Sequence, residues 1–316
     1  MSQYAIGADI GGSSVKLGLF QESGNLISKW EIPTRLEKRG AYILQDIANF
    51  LEEKLQEGGI DKEEVIGLGI AVPGPILEGG IVNQCANLGW GVFSVEEEMA
   101  KLIPIKRIRA INDANAAALG EMWQGSGAGH KNMVMLTLGT GVGGGVISEG
   151  KVLMGSFGAA GEIGHMQVCF HEEMPCGCGK RGCLEQYASA SGMCRVAKLK
   201  LLESKRSSVL RERKEFSAKE ICDAAKEGDA LALEVLEEAC EKLGRALSYI
   251  SAVMDPDLYV IGGGVSRAGS ILTDKIEDYF RRYAFHSSKK AQIRLAELGN
   301  DAGIYGAARL VRESCR

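Results

Sequence analysis

The sequence predicts an α/β fold built from two related halves that face one another across a central cleft. Three observations carry that expectation. Short apolar runs of strand character alternate with segments of helical period along the chain. Glycine supplies 42 of 316 residues, roughly double the usual ~7%, and gathers in turns. The segment Ala8-Asp9-Ile10-Gly11-Gly12-Ser13-Ser14-Val15-Lys16-Leu17-Gly18 returns about 128 residues later as Leu136-Thr137-Leu138-Gly139-Thr140-Gly141-Val142-Gly143-Gly144-Gly145-Val146. Each copy is a strand, a glycine and hydroxyl turn, and a returning strand, so each half opens on a β-hairpin.

In chain order, Tyr4–Ile10, Val15–Phe20 and Leu26–Ile32 read as strands, the last two separated by the turn Glu22-Ser23-Gly24-Asn25. Ala41–Leu55 places Ile43, Leu44, Ile47, Phe50, Leu51 and Leu55 at helical spacing and stops at Gly58-Gly59. Val65–Val72 is a strand closed by Pro73-Gly74-Pro75. Ser94 followed by Glu97 predicts a capping box for a helix to Leu102. Lys106–Ile111 is a strand and Ala114–Met122 a helix. Met133–Leu138, Gly143–Ser148 and Val152–Met154 form an up-and-down set. Helices follow from Ser217 and over Ala230–Val253, then a buried strand Leu258–Ile261, a helix Ile271–Tyr283, a strand Gln292–Leu298 and a closing helix Ile304–Arg312.

Composition excludes several classes. Lys+Arg 37 against Asp+Glu 41 gives a net charge of −4, without the basic excess of a nucleic-acid or anionic-membrane binder. The uncharged stretch Asn132 to Ser148, which no other exceeds in length, is glycine-rich and shorter than the ~20 apolar residues of a spanning helix. The first residues run straight into a strand without a signal-peptide pattern, so a cytoplasmic protein is expected. Nine cysteines are an odd number, against a secreted disulfide framework. Cys85, Cys194, Cys222, Cys240 and Cys315 are scattered, whereas Cys176, Cys178 and Cys183 crowd together.

The chemistry lies in three constellations. The turns Gly11-Gly12-Ser13-Ser14 and Gly139-Thr140-Gly141, with Gly262-Gly263-Gly264, can present backbone N–H groups to phosphates, Lys16 adding charge; tight hairpins also need glycine for geometry alone. Gly139, Gly141 and Gly144 satisfy the dinucleotide fingerprint, but a strand follows where that motif requires a helix, which argues against an NAD enzyme. His165 with Cys176, Cys178 and Cys183 is a tetrahedral Zn²⁺ donor set, with Cys169 and His171 as alternative fourth ligands. Four protein ligands make such a metal structural. Asn112-Asp113 sits at a strand-to-helix junction, where Asp113 is a natural N-cap or a general base. Glu162, His165 and Glu185 are presented together by the chelating loop and suit the hydroxyls of a polyol.

Together these residues resemble the ROK family (repressors, open reading frames and kinases) of the actin-like sugar-kinase superfamily. The most specific match is Gly161-Glu162-Ile163-Gly164-His165 with Cys176-Gly177-Cys178-Gly179-Lys180-Arg181-Gly182-Cys183-Leu184-Glu185. Asn112-Asp113-Ala114-Asn115-Ala116-Ala117-Ala118 and Leu138 to Gly145 also match, and the likeness runs from Asp9 to the Gly303-Ile304-Tyr305-Gly306-Ala307-Ala308 segment. Ser13 stands where members commonly carry Thr, which keeps the hydroxyl. The resemblance implies two actin-like (ribonuclease H-like) domains: a smaller one of residues 1–112 plus 301–316 and a larger one of 113–300 with a zinc loop over 165–183. It implies ATP-dependent phosphorylation of a hexose at its C6 hydroxyl. Glucose is the first expectation and N-acetylmannosamine the alternative; fructose, mannose and allose are further candidates, and a non-catalytic sugar sensor is a different class.

By the same resemblance Asp113 is the general base, its anion stabilised at the helix N-terminus. Asn112, Glu162, His165 and Glu185 hold the other sugar hydroxyls, with Gly74 and Asn87 as further contacts. His165 ligates zinc through one ring nitrogen and faces the sugar with the other. Asp9 orients Mg²⁺ and its waters; Gly11, Gly12, Ser13, Lys16, Thr140 and Gly141 touch phosphates; Gly262, Gly263 and Gly264 border the adenosine. Repressor members carry a helix-turn-helix ahead of the kinase-like body; with Asp9 only nine residues from the start, a repressor is not the expectation. A homodimer is implied, with no nucleic-acid or membrane partner.

Overall fold

The computed structural model describes residues 3–313; residues 1–2 and 314–316, Cys315 among them, lie outside it. Its frame is two five-stranded mixed sheets of the same design. Strands β1 (Tyr4–Ile10), β2 (Ser14–Gln21) and β3 (Leu26–Pro33) form an antiparallel set that continues through parallel β4 (Val65–Val72) and β8 (Ile108–Asn112), in the order β3-β2-β1-β4-β8. The second sheet repeats this with β9 (Met133–Leu138), β10 (Val142–Ser148), β11 (Lys151–Val152), β12 (Leu258–Gly262) and β13 (Gln292–Leu295), ordered β11-β10-β9-β12-β13. The internal repeat read from the sequence is therefore a repeat of hairpins, with Ile10 opposite Val15 in one and Leu138 opposite Val142 in the other.

Burial follows from where each strand lies. β4 is apolar almost throughout because a parallel strand is covered on both faces, while the edge strand β3 alternates. Helix α2 (Ile43–Glu57) buries Ile43, Leu44, Ile47, Ala48, Leu51 and Leu55 along one stripe and ends at Gly58. The turn α1 (Glu37–Gly40) before it places Lys38 and Arg39 in left-handed conformation. In the second half, α7 (Ala218–Lys226) starts at a complete capping box of Ser217 and Glu220, and α8 (Ala230–Met254) at Asp229, whose carboxylate accepts the Leu231 and Ala232 N–H groups. Tyr259 is fully buried, donates its hydroxyl to Leu247 O at 2.9 Å and meets Phe280 of α9 (Ser270–Tyr283) edge-on.

Two helices tie the sheets together by exchange. α4 (Asp113–Gln124) follows the last strand of the first sheet yet packs on β10 and β9 of the second. α10 (Ala302–Glu313) follows the last strand of the second sheet yet packs on β1 and β4 of the first. The two cross so closely that a Cβ at Gly306 would lie 1.7 Å from Ala116 O, and one at Gly120 2.2 Å from Ala302 O. Gly69 meets Ala307 O in the same way at 1.8 Å. Only glycine admits this backbone-to-backbone approach.

Several details differ from the sequence expectation. A small third sheet of β5 (Ile76–Leu77), β6 (Ile81–Cys85) and β7 (Trp90–Ser94) follows Pro73-Gly74-Pro75. Ahead of α3 (Val95–Leu102) the capping box is half made: Ser94 Oγ accepts the Glu97 N–H at 3.2 Å but itself donates to Gly79 O at 2.7 Å. Beyond the chelating loop, α5 (Glu185–Ala188) and α6 (Ala190–Glu203) are further helices, α6 burying Met193, Val196 and Ala197 along one stripe. Among the described residues no helix is long and apolar enough to cross a membrane, and every cysteine is free.

Candidate active site

The carboxyl ends of β1, β4, β8, β9 and β12 converge on one cleft of about 570 Å³, the place where open α/β sheets bind ligands. Asp9, Asn112, Asp113, Glu162, His165 and Glu185 all line it, as do Gly74 and Asn87 on the side of the third sheet.

At the end of β8 the backbone turns directly into α4. Asn112 is the N-cap: its Oδ1 accepts the Asn115 N–H at 3.0 Å and its Nδ2 donates to Gly74 O at 3.1 Å. This corrects the reading of Asp113 as N-cap, because the residue one place earlier already satisfies that helix end. Asp113 is the first helical residue, and its Oδ1 accepts the Ala114 N–H at 2.8 Å and Asn112 Nδ2 at 2.9 Å. Those bonds favour the anion, but burial is the larger effect and holds the Asp113 pKa above the ordinary carboxylate range, with the Glu162 charge adding to it. The expectation from the helix terminus alone therefore had the wrong sign.

Asp9 faces the same space from β1. Burial pushes its pKa up to about 6, the negative Asp113 reinforces this, and Lys16, paired with it across the hairpin, opposes it. Lys16 Nζ donates to Asn300 O at 2.9 Å, so strand β2 is moored to the turn that opens α10. The Asp9 carboxylate lies against that helix start: a Cβ at Gly303 would come within 2.4 Å of its Oδ2. Two half-buried carboxylates of raised pKa with one lysine form a site short of positive charge, the character expected where a divalent cation binds.

The chelating loop meets the cleft from the other side. One donor atom each from His165, Cys176, Cys178 and Cys183 lies within 4.8 Å of the others. Cys176 Sγ is 3.8 Å from His165 Nδ1, and Cys178 Sγ is 3.7 Å from Cys183 Sγ. A tetrahedral zinc with Zn–S of about 2.3 Å sets its sulfurs about 3.8 Å apart, so spacing and donor chemistry fit that ion. Burial and the neighbouring thiols push the Cys183 thiol up to about 12, a crowding that a cation would relieve. Nδ1 of His165 points at the cluster, leaving Nε2 toward Glu162 at 4.0 Å. Of the alternative ligands, Cys169 lies against the Tyr187 hydroxyl, and neither it nor His171 joins the four.

The loops assigned to phosphate are only partly in the cleft. Gly11, Lys16, Gly141 and Gly263 line it; Gly12, Ser13, Thr140 and Gly264 stand exposed at its rim, and Gly262 is buried in β12. The N–H groups of Gly11 and Gly139 close their own hairpins, bonding Ser14 O at 2.9 Å and Gly141 O at 3.0 Å, and so do not point outward as the glycine pattern suggested. Sequence reasoning missed Thr137, Asn115 and Asn300. Thr137 was findable, because the repeat places it where the first half has Asp9. Asn115 is 3% exposed and its Oδ1 accepts no hydrogen bond from the described residues; an asparagine inside an alanine-rich helix, where its propensity is poor, was the available signal.

The ROK family model matches residues 5–314. A glucokinase of Halalkalibacterium halodurans is 40% identical across 98% of this chain and 96% of its own, and a glucokinase of Thermotoga maritima is 36% identical over 98% and 97%. Among solved structures, a ROK family glucokinase from Streptomyces griseus, crystallised with glucose and AMPPNP, superposes with a TM-score of 0.76 at 31% identity, covering 98% of this chain and 99% of that one.

Proposed function

The chain belongs to the ROK family, and on that premise we propose that it is an ATP-dependent kinase phosphorylating a hexose at the C6 hydroxyl, with glucose as substrate. The observation that carries this reading is the placement of Asp113. It is a desolvated carboxylate held by Asn112 and Ala114 at a helix start, beside Glu162, His165 and Glu185. Phosphoryl transfer depends on positioning and charge neutralisation more than on covalent help from the protein. A carboxylate of raised pKa is a better match to an alcohol proton than an ordinary one, which suits Asp113 Oδ to receive that proton as the hydroxyl attacks.

Asn112, Glu162, Glu185 and His165 Nε2 would accept or donate to the remaining hydroxyls, with Gly74 and Asn87 closing that side. Lys16 and the backbone around Gly11, Gly141 and Gly263 would border the nucleotide, and the exposed rim residues Gly12, Ser13, Thr140 and Gly264 could reach it on closure. Mg²⁺, when bound, neutralises the transferring phosphate, and Asp9 would hold its hydration shell. Zinc, when bound, fixes the loop that presents Glu162, His165 and Glu185. We take residues 1–112 with 301–316 as one lobe and 113–300 as the other, closing on the sugar to exclude water. A homodimer is also proposed, with Phe170, Met174, Leu199 and Leu202, exposed along the chelating loop and α6, as the apolar face to test by light scattering.

The deciding experiment is ADP release with ATP and Mg²⁺ over glucose, mannose, fructose, N-acetylmannosamine and N-acetylglucosamine, with Asp113→Asn as control. Turnover on glucose that the control loses supports the proposal. Turnover confined to N-acetylmannosamine would move the substrate within the family, and silence on every sugar would point to a sensor.

A further inference from the structure

Gly141 has a reason to be glycine that differs from its neighbours' reasons. Its φ lies outside the left-handed region, so no turn requires it. The Cβ positions of Gly143, Gly144 and Gly145 are occupied by Thr137, Ile163 with Gly161, and Ala118 with Ala114. At Gly141 a Cβ would meet one group only, the carboxylate of Glu185, with Oε2 at 2.3 Å. The next residue completes the contact: the Val142 N–H donates to Glu185 Oε2 at 3.0 Å.

Glu185 is held from its other end as well. Its carbonyl accepts the Ser189 hydroxyl at 2.7 Å, and the adjacent Gln186 grips both limbs of the chelating loop through the Cys183 N–H at 3.1 Å and Met174 O at 3.0 Å. A flexible glutamate is thus fixed in one orientation before any ligand arrives, which spares binding the entropy of ordering it.

We infer that Gly141 and the Val142 amide are positioning groups for Glu185, so that the hairpin on the phosphate side of the cleft sets affinity on the sugar side. The inference rests on the proposed role of Glu185 in holding a sugar hydroxyl. A methyl group at position 141 displaces the carboxylate and breaks its bond to the amide. The double-mutant comparison isolates the pair, because a substitution acting only through Glu185 has nothing left to do once Glu185 is truncated.

Glucose binding is measured calorimetrically without nucleotide for the wild-type protein, Gly141→Ala, Glu185→Ala and the double variant. Gly141→Ala is expected to weaken glucose binding by about tenfold, the scale of one hydrogen bond to a charged group, and to weaken nucleotide binding less. In the Glu185→Ala background the same substitution adds nothing. A Gly141→Ala protein that binds glucose within twofold of wild type, or whose effect persists without Glu185, overturns the inference. Wild-type protein that binds no sugar overturns the kinase reading with it. Hydrogen exchange gives a test independent of any change at Gly141: the Val142 amide is protected in the ligand-free wild type and loses protection in Glu185→Ala. Equal exchange in the two proteins would also overturn the inference.

Discussion

The two hairpins that open the two sheets share their backbone and differ in what they place in the cleft. In the first, β1 and β2 set Asp9 opposite Lys16. In the second, β9 and β10 set Thr137 opposite Gly143. One copy of the repeat delivers charge, and the other delivers backbone and empty space into which Glu185 and α4 fit. A duplicated scaffold thus supports an asymmetric reaction: both hairpins border the nucleotide side of the cleft, but the first brings charge suited to a cation there, whereas the second uses its backbone to hold a carboxylate suited to a neutral, hydroxyl-rich molecule.

Substitutions at paired positions should break that symmetry. The largest effect belongs to Asp113→Asn, expected to lower kcat more than ~100-fold, the usual scale of a general base, while calorimetric sugar affinity stays close to wild type. Since the Asp113 pKa is raised and the carboxylate is the active form, wild-type kcat/KM should fall on acidification at a pH above the ordinary carboxylate range. Retention of turnover within tenfold would remove Asp113 from its role. Next is the matched pair Asp9→Asn and Thr137→Val. Loss of the charge should cost about 100-fold in turnover, in line with removing one electrostatic stabiliser, and loss of the hydroxyl tenfold at most. Equal losses would mean that the two hairpins are not divided as described.

Cys178→Ser tests the loop between them. Bound zinc, read by atomic absorption, should drop below stoichiometric because one of the four donors is lost, and sugar KM should rise about tenfold as the loop presenting Glu162, His165 and Glu185 loosens; full activity with zinc retained would contradict it. The smallest effect is one of stability. A carboxylate raised from 3.8 to about 6 on folding stabilises the native state below its unfolded pKa and loses that contribution as pH rises through about 6. In magnesium-free buffer Asp9→Asn should therefore melt a few degrees above wild type at pH 8 and level with it at pH 4. A variant less stable than wild type at pH 8 would show that the charge is compensated.

The sequence made the two hairpins legible because Tyr4–Ile10 and Met133–Leu138 are short, mostly apolar runs that stop at glycine. It left β5, β6 and β7 invisible, since strands of two to five residues carrying exposed Asn83 and Gln84 have no period to detect. Asn112 and Asp113 were singled out, but which of them caps α4 depends on side-chain orientation, and the sign of the Asp113 shift depends on how deeply α4 is covered. Both are tertiary facts. The metal-ligand spacing could be read directly because the four donors fall within 19 residues, His165 to Cys183, whereas Asn300 and Gly303 reach the cleft only through the return of α10.

That return has a consequence for how the molecule comes apart. Each sheet is sealed by a helix that the chain supplies after building the other sheet, and Ala71, Ile111, Ala116 and Ala307 are buried together at the seam. A fragment ending at residue 112 would leave the α10-facing sides of β1 and β4 bare, glycines included. Despite its two sheets the protein should unfold in a single calorimetric transition, and neither half should fold when expressed without the other.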